Sequence, residues 1–298
     1  MRKITFVIFF LLFIYLTSMI IAQSFSKTDF SDKIMIIPIY GVIGNGGADF
    51  FSQTDTTSSS DIVKQLENAN QDKTIKAIIL EINSPGGTVV SSKEITEKVK
   101  SLDKPVVAWI RDMGASGAYW IASGSDVIVA DEMSITGSIG VVSSYLQFSE
   151  LMEEYGIEYE RLVAGNLKDA GSPYKELTAQ ERTILQNKIN LIHRYFIEDV
   201  AKNRNVSVKQ IQGLADGMFY LGIEAQQLGL VDVLGGEDKA IQISKQLAQI
   251  DDAKVVKYQR TLTFIDLLRQ LSNNFSFNVG LGIGESMKVK QDYNLYAM

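Results

Sequence analysis

The 298-residue chain contains no cysteine, which excludes disulfide bonds, thiolate metal ligands and cysteine nucleophiles. It contains a single histidine, His193, so metal sites built from several histidines, such as the H-E-x-x-H motif, are excluded as well. Positive charge is also scarce, and a net charge of −6 gives no indication of a nucleic-acid partner. The composition, 46% hydrophobic and 21% charged, is that of a globular protein, and no motif in it predicts a metal or a cofactor.

An uncharged apolar run at the N-terminus, residues 4–22, is long enough to cross a bilayer as a helix. Arg2 and Lys3 precede the run, and the next basic residue is Lys27, a bias that predicts a cytoplasmic N-terminus and an exported domain. The alternative is a cleaved signal peptide, whose apolar region is ordinarily shorter, and the end of this run is a poor cleavage site. The pattern favours a single-pass anchor in the cell membrane, residues 1–25, with the domain that follows on the outer face.

Strand-like and helix-like segments alternate after a linker at residues 26–33, an order that predicts an α/β domain with a parallel sheet and right-handed crossovers. This domain extends over residues 34–258. A tail at 259–298 follows, in which apolar residues at helical spacing predict an amphipathic helix. The predicted strands lie at 33–43, 75–83, 104–110, 125–131, 137–142 and 158–164, and the principal helices at 58–72, 86–102 and 178–203.

The stretch E-I-N-S-P-G-G, residues 81–87, ends a buried strand with a proline and two glycines and leads into a helix. Glycine permits a tight turn and a close approach of another chain, and the N–H groups at a helix start are free to bind a developing oxyanion. A plain strand-to-helix turn would show the same residues. The stretch is not a phosphate loop, because G-x-x-x-x-G-K-[ST] is absent from the sequence.

Ser116 stands in a second such turn, Gly114-Ala115-Ser116-Gly117-Ala118, directly after another apolar strand. Because ligands bind at the carboxyl ends of parallel strands, this turn and Gly87 are expected to lie together. A serine nucleophile beside backbone N–H donors is the arrangement that acyl transfer requires. The run differs from the G-x-S-x-G nucleophile elbow, so a tight turn without chemistry remains an alternative.

A serine nucleophile needs a base, and the composition narrows the choice. His193 lies in a long helical segment, where a surface or boundary position is the simpler interpretation. A lysine can serve if its pKa falls well below the ordinary value of about 10.4. Lys168 lies between Gly165 and Gly171, after a predicted strand, where loops commonly carry functional groups. Lys175 is the next candidate.

Five segments, SPGG, GASGAYWIAS, TGSIGVV, GNLKDAGSPY and GLVDVLG, occur here in the order typical of the S49 serine peptidases. The chain resembles the short, single-repeat form of the signal peptide peptidase A family over about residues 34–247. The resemblance implies a crotonase-like or ClpP-like spiral of βαβ units. It also implies Ser116 as nucleophile, Lys168 as general base, and the N–H groups of Gly87 and Gly117 as the oxyanion hole. The absence of a histidine shortly after Ser116 agrees with a Ser-Lys dyad.

The family resemblance further implies a homo-oligomeric ring in which neighbouring protomers can complete each other's sites, and a role in cleaving remnant signal peptides and other apolar peptides. A hydroxyl of Ser134, Thr136 or Ser138 is expected to orient the lysine. Three alternatives stay open at this point. They are a Ser-Lys peptidase associated with stomatin-like membrane proteins, a crotonase-type enzyme acting on acyl-CoA, and an inactive ClpP-like scaffold.

Overall fold

The computed structural model describes residues 31–45 and 56–258, together with six positions near the N-terminus, 10, 13–15, 17 and 18. Within this part of the chain, no helix has both the length and the apolar character needed to cross a membrane. Most of the predicted anchor, residues 4–22, lies outside the described residues. The chain divides into two compact units, Met1–Lys257 and Tyr258–Met298. The tail helix predicted in the second unit lies outside the described residues.

The described chain contains nine strands of one sheet. They are β1 Lys33–Gly44, β2 Thr56–Ser58, β3 Ile75–Gly87, β4 Val106–Ala115, β5 Val127–Ala130, β6 Ile135–Gly137, β7 Phe219–Leu221, β8 Val233–Leu234 and β9 Lys254–Lys257. The main path runs β2-β1-β3-β4-β5-β8, with β9 added to β1, β6 to β4 and β7 to β6. All of these pairs are parallel except β6 with β7. The predicted parallel α/β fold is confirmed.

Between residues 56 and 258, the structure contains eight helices. They are α1 Ser59–Gln71, α2 Val89–Lys100, α3 Gly117–Ser123, α4 Ser149–Glu154, α5 Ala179–Asn203, α6 Val208–Gln212, α7 Gly222–Gln227 and α8 Glu237–Ala248. The long helix begins where the sequence predicts, because Thr178 and Glu181 form a capping box at its start. The other two predicted helices correspond to α1 and α2.

Alternation along the central strands builds a core on each face of the sheet. On β3, Ile78, Leu80 and Ile82 belong to the larger apolar cluster, which also holds residues of α1, α2, α3 and α5. The intervening Ala77 and Ile79 pack in a smaller cluster with residues of α8. Strands buried on both faces read as continuous apolar runs, which is why the sequence located them well.

Two of the predicted strands are wrong. Of the run predicted at 137–142, only Gly137 belongs to a strand, the last residue of β6, because Ser138 turns the chain with φ +49°. The run at 158–164 forms no strand, and its side chains are exposed on both sides. The apolar residues of this run therefore have no sheet to pack against among the described residues. The run lies within residues 141–178, here called the arm, a segment in which no side chain is buried.

Candidate active site

Ser116 joins the end of β4 to the first residue of α3 in a strained backbone conformation. Its φ is +53° and its ψ is −122°, a combination that costs a residue with a Cβ free energy and persists only where the surroundings impose it. The Ser116 N–H donates to the Gly137 carbonyl at 2.8 Å, and the Ser116 carbonyl accepts from the Trp120 N–H at 3.0 Å. The turn is thus fixed by β6 on one side and by α3 on the other, and it holds a half-buried serine at the strand end.

The end of β3 packs directly against this turn, and only glycines permit the contact. A Cβ on Gly86, whose φ is +100°, would lie 2.7 Å from the Gly117 nitrogen and 3.0 Å from the Ser116 Cβ. A Cβ on Gly117 would lie 3.3 Å from the Gly87 nitrogen. A Cβ on Gly87 itself would lie 1.9 Å from the Ile43 carbonyl oxygen. The two glycine turns quoted from the sequence therefore meet, as the strand order predicts.

The backbone nitrogens of Gly87 and Gly117 lie close together beside Ser116. Gly117 is the first residue of α3, where N–H groups have no partner within the helix. The Thr88 N–H donates to the Ile43 carbonyl at 2.9 Å, and because successive N–H groups of a strand point to opposite sides, the Gly87 N–H points away from β1. A pair of donors at a serine hydroxyl can stabilise the oxyanion of an acyl-transfer reaction.

A cavity of about 560 Å³ opens over these residues and is lined by Ser116, Gly87 and Gly117. One wall is apolar and includes Trp120 and Phe196, whose rings stack at 4.5 Å with both side chains 2% exposed. The other wall carries amide and hydroxyl groups and a carboxylate. A cavity with an apolar floor and a few polar groups suits an extended peptide carrying apolar side chains.

Comparison with known proteins identifies the family. The model of Peptidase family S49 matches residues 98–251, and that of Clp protease matches residues 44–129. The chain belongs to peptidase family S49. It is therefore a serine peptidase, in which a ClpP-like domain supplies the parallel sheet.

Three relatives are similar over most of their length. A putative protease of Methanocaldococcus jannaschii is 36% identical over 75% of this chain and 72% of its own. A putative signal peptide peptidase SppA of Enterococcus faecium is 35% identical over 78% of this chain and 68% of its own. A putative protease of Synechocystis sp. is 36% identical over 77% of this chain and 79% of its own.

In this S49 peptidase the candidate base lies apart from the candidate nucleophile. Lys168 stands in an exposed turn of the arm and is not among the residues that line the Ser116 cavity. Its ammonium group makes no hydrogen bond or ion pair with the described part of the chain. The alternative lysine, Lys175, is already paired with Glu181 at 2.7 Å, which favours Lys168 of the two.

The three hydroxyls expected to orient a lysine differ in whether they reach the cavity. Ser134 and Thr136 are buried and donate to the carbonyls of Arg111 and Gly114. Ser138 lines the cavity, and its hydroxyl donates to the Gly217 carbonyl at 3.0 Å, which leaves its oxygen able to accept from an ammonium group. Of the three candidates, Ser138 is therefore the one that a lysine entering the cavity can reach.

His193 lines the same cavity, which the sequence did not indicate. It is half-buried, in agreement with the boundary position expected, and its Nε2 lies 3.2 Å from the Ile139 carbonyl oxygen. That carbonyl belongs to the segment that follows Ser138 along the cavity wall. A signal was present in the spacing, because His193 shares one helical face with Ile189 and Phe196, at four and three residues' distance.

Proposed function

We propose that this chain is a membrane-anchored serine endopeptidase with a Ser116–Lys168 dyad, and that it cleaves remnant signal peptides and other apolar peptides. The observation that carries the proposal is the strained Ser116, which lines one cavity together with Gly87, Gly117 and the stacked rings of Trp120 and Phe196. The name of the Enterococcus faecium relative supports the substrate class. The anchor proposed is residues 4–22, with the domain on the outer face of the cell membrane.

In the mechanism proposed, the neutral amine of Lys168 takes the proton of the Ser116 hydroxyl as the oxygen attacks the scissile carbonyl. The N–H groups of Gly87 and Gly117 bind the resulting oxyanion. The lysine then gives its proton to the leaving amine, and a water molecule, deprotonated in the same way, releases the acyl group from the serine. Ser138 accepts a hydrogen bond from the lysine and orients it.

We further propose that Lys168 reaches Ser116 across an interface between copies of this chain in a ring. The arm that carries Lys168 exposes large apolar side chains, with Val142 and Leu162 both 87% exposed, Leu146 73% and Tyr155 72%. Such a surface is typical of a contact between protein chains. A neighbouring copy that covers it would also bring an arm, and a lysine, to each serine.

The test uses the full-length chain in detergent micelles with a fluorogenic apolar peptide. Ser116→Ala and Lys168→Met are each expected to reduce kcat/KM by at least about 1,000-fold while the fold is retained. Mixing the two inactive variants under subunit exchange is expected to restore activity, because one supplies the serine and the other the lysine. Full activity in Ser116→Ala would disprove the nucleophile. Inactive mixtures would place the dyad within one chain, and an inert wild type would favour the scaffold.

A further inference from the structure

An ion pair fastens the turn that carries Lys168. The Arg161 Nε donates to Asp169 Oδ2 at 2.6 Å, and its Nη2 donates to Asp169 Oδ1 at 2.8 Å, so the contact is bidentate. Asp169 is the residue next to Lys168. Its side chain is 11% exposed in a segment where no residue is buried. Bidentate contacts of this kind fix an orientation as well as a distance.

Arg161 holds the turn on both sides of the lysine. The same Nη2 donates to the Asn166 carbonyl at 3.2 Å, two residues before Lys168, while the carboxylate lies one residue after it. Within the turn, the Lys168 N–H donates to Gly165 at 3.0 Å. The guanidinium group therefore closes a small loop around Lys168.

Further charged side chains connect the turn of Lys168 to the helix that lines the Ser116 cavity. Lys175 Nζ lies 4.0 Å from Asp169 and 2.7 Å from Glu181, which is 4% exposed and forms the capping box of α5 with Thr178. Helix α5 lines the Ser116 cavity further along its length. A chain of alternating charges thus connects the lysine turn to the helix on which the cavity is built.

An isolated surface ion pair contributes little to folding, because solvent screens it and its side chains lose entropy. Here the pair is bidentate, belongs to a network and lies in a segment without a core of its own, which are the conditions under which such a contact determines local geometry. Hydrogen bonding from Arg161 lowers the pKa of Asp169 to about 2. The pair is accordingly charged at every pH at which a lysine base would operate.

We propose that Arg161 and Asp169 are positioning residues for Lys168, and that their bidentate contact presents the amine in the orientation in which it meets the serine. This inference rests on the proposed role of Lys168 as the base. Catalysis by a positioned base is sensitive to displacements of about 1 Å, which can cost on the order of 100-fold in rate. The pair acts on kcat through the lysine and makes no contact with substrate.

The experiment compares wild type, Asp169→Asn, Arg161→Met and the reversed pair Arg161→Asp with Asp169→Arg, as full-length chains. Lys98→Met is the matched control, because it removes an equally short surface ion pair, 2.6 Å from Lys98 to Glu67, between α1 and α2. Measurements are kcat and KM for an apolar peptide across pH 6–10. Each single variant is expected to lose about tenfold or more in kcat at nearly unchanged KM. The control should remain within twofold.

The pH profile separates positioning of the base from loss of structure. Asp169→Asn leaves an unpaired positive charge beside Lys168, which favours the neutral amine and moves the onset of activity to lower pH. Arg161→Met leaves the Asp169 carboxylate with only its longer contact to Lys175 and moves the onset to higher pH. Displacements in opposite directions, on the order of 0.5 pH units each, are expected. The reversed pair should recover most of the lost kcat.

Single variants within twofold of wild type would overturn the inference, as would equal losses with unshifted profiles and no rescue. If Asp169→Asn fails to fold, Arg161→Lys replaces it, because it keeps the charge, loses the bidentate contact and should show an intermediate loss in kcat. Failure of the proposed function is recognised separately. Activity in Lys168→Met would disprove the role of Lys168 as the base. An inactive Lys168→Met together with fully active variants of Arg161 and Asp169 would disprove only the positioning role.

Discussion

Ser116 and Lys168 lie in two regions with opposite packing. Around the serine, the sheet ends and α3 are so tightly packed that Gly86, Gly87 and Gly117 have no room for a Cβ. Around the lysine, the arm has no buried side chain, and charges hold its turns. The proposed nucleophile and oxyanion donors are therefore preorganised by the core, while the proposed base depends on ionic contacts and on the surface that covers the arm.

The strongest disruption of the packed half is Gly87→Ala. Its Cβ would lie 1.9 Å from the Ile43 carbonyl oxygen, so β1 and β3 must separate and the oxyanion donor must move. We expect kcat/KM to fall at least about 100-fold, as for loss of an oxyanion donor. Gly44→Ala is the control, because no atom lies within 4 Å of its Cβ, and it should stay within about 0.5 kcal/mol of wild type in unfolding. An active Gly87→Ala enzyme would contradict the assignment of the donor.

The arm is disrupted instead by Leu162→Glu. The side chain is 87% exposed within one chain, so its replacement should leave the unfolding of the isolated subunit unchanged. A charge at a covered apolar surface is expected to weaken assembly and to reduce hydrolysis about tenfold at equal protein concentration. Sedimentation and peptide hydrolysis measure the two effects. Leu191→Glu, at an exposed leucine of α5 outside the arm, tests whether any surface charge has the same result. Assembly at wild-type strength would show that the arm is not the contact.

His193 lines the Ser116 cavity, and its replacement should affect substrate binding more than chemistry. His193→Leu removes the contact to the Ile139 carbonyl and is expected to raise KM about fivefold, at a cost of about 1 kcal/mol. Glutamine can place an N–H near the position of Nε2, so His193→Gln should stay closer to wild type. Steady-state kinetics with one peptide distinguishes the variants. A loss of kcat as large as that of Lys168→Met would instead make the histidine a candidate base.

The smallest expected effect is on the free energy of unfolding. It comes from a comparison of the buried ion cluster around Glu81 with the exposed ion pair of Arg161 and Asp169. Glu81 is 3% exposed and pairs with Arg111 at 2.9 Å and Lys257 at 2.5 Å. Burial alone would raise the pKa of Glu81, but hydrogen bonds and charge from Lys257, Tyr40 and Arg111 outweigh it, and the pKa lies below the ordinary 4.5. The folded state then binds this proton less readily than the unfolded state, so the stabilisation is complete above pH 4.5 and is lost as the pH falls through the lowered value.

Glu81→Gln should therefore lower the free energy of unfolding at pH 7 by about 2 kcal/mol, a reduced figure because both cationic partners are about half exposed. The difference from wild type should shrink below pH 4.5. Asp169→Asn is the counterpart in the arm and should lower the free energy of unfolding at pH 7 by less than Glu81→Gln does, because solvent screens the exposed pair. Urea unfolding monitored by tryptophan fluorescence at pH 7 and pH 3.5 measures both. A constant difference for Glu81→Gln would contradict the ionic origin of the stabilisation.

The same contrast explains what the sequence could predict. Strands that are buried on both faces, such as β3 and β4, appear in the sequence as continuous apolar runs. The ends of those runs predict the positions of the two glycine turns. The arm also carries apolar residues, so residues 158–164 resemble a strand, although the described part of the chain gives them nothing to pack against. The position of His193 in the cavity depends on which face of α5 packs against the sheet. Helical spacing limits the possible faces but does not determine which of them is buried. The ion pair of Arg161 and Asp169 spans eight residues without regular structure, and no periodicity encodes it.

The exposed arm also has a consequence for the subunit concentration at which such a peptidase becomes active. If the lysine must come from a neighbour, a newly made subunit carries a finished nucleophile and no usable base, so it is harmless while it is dilute. Hydrolysis then increases more steeply than the first power of the subunit concentration until assembly is complete. Proteolysis would then be controlled by the concentration of subunits, and dilution would switch it off.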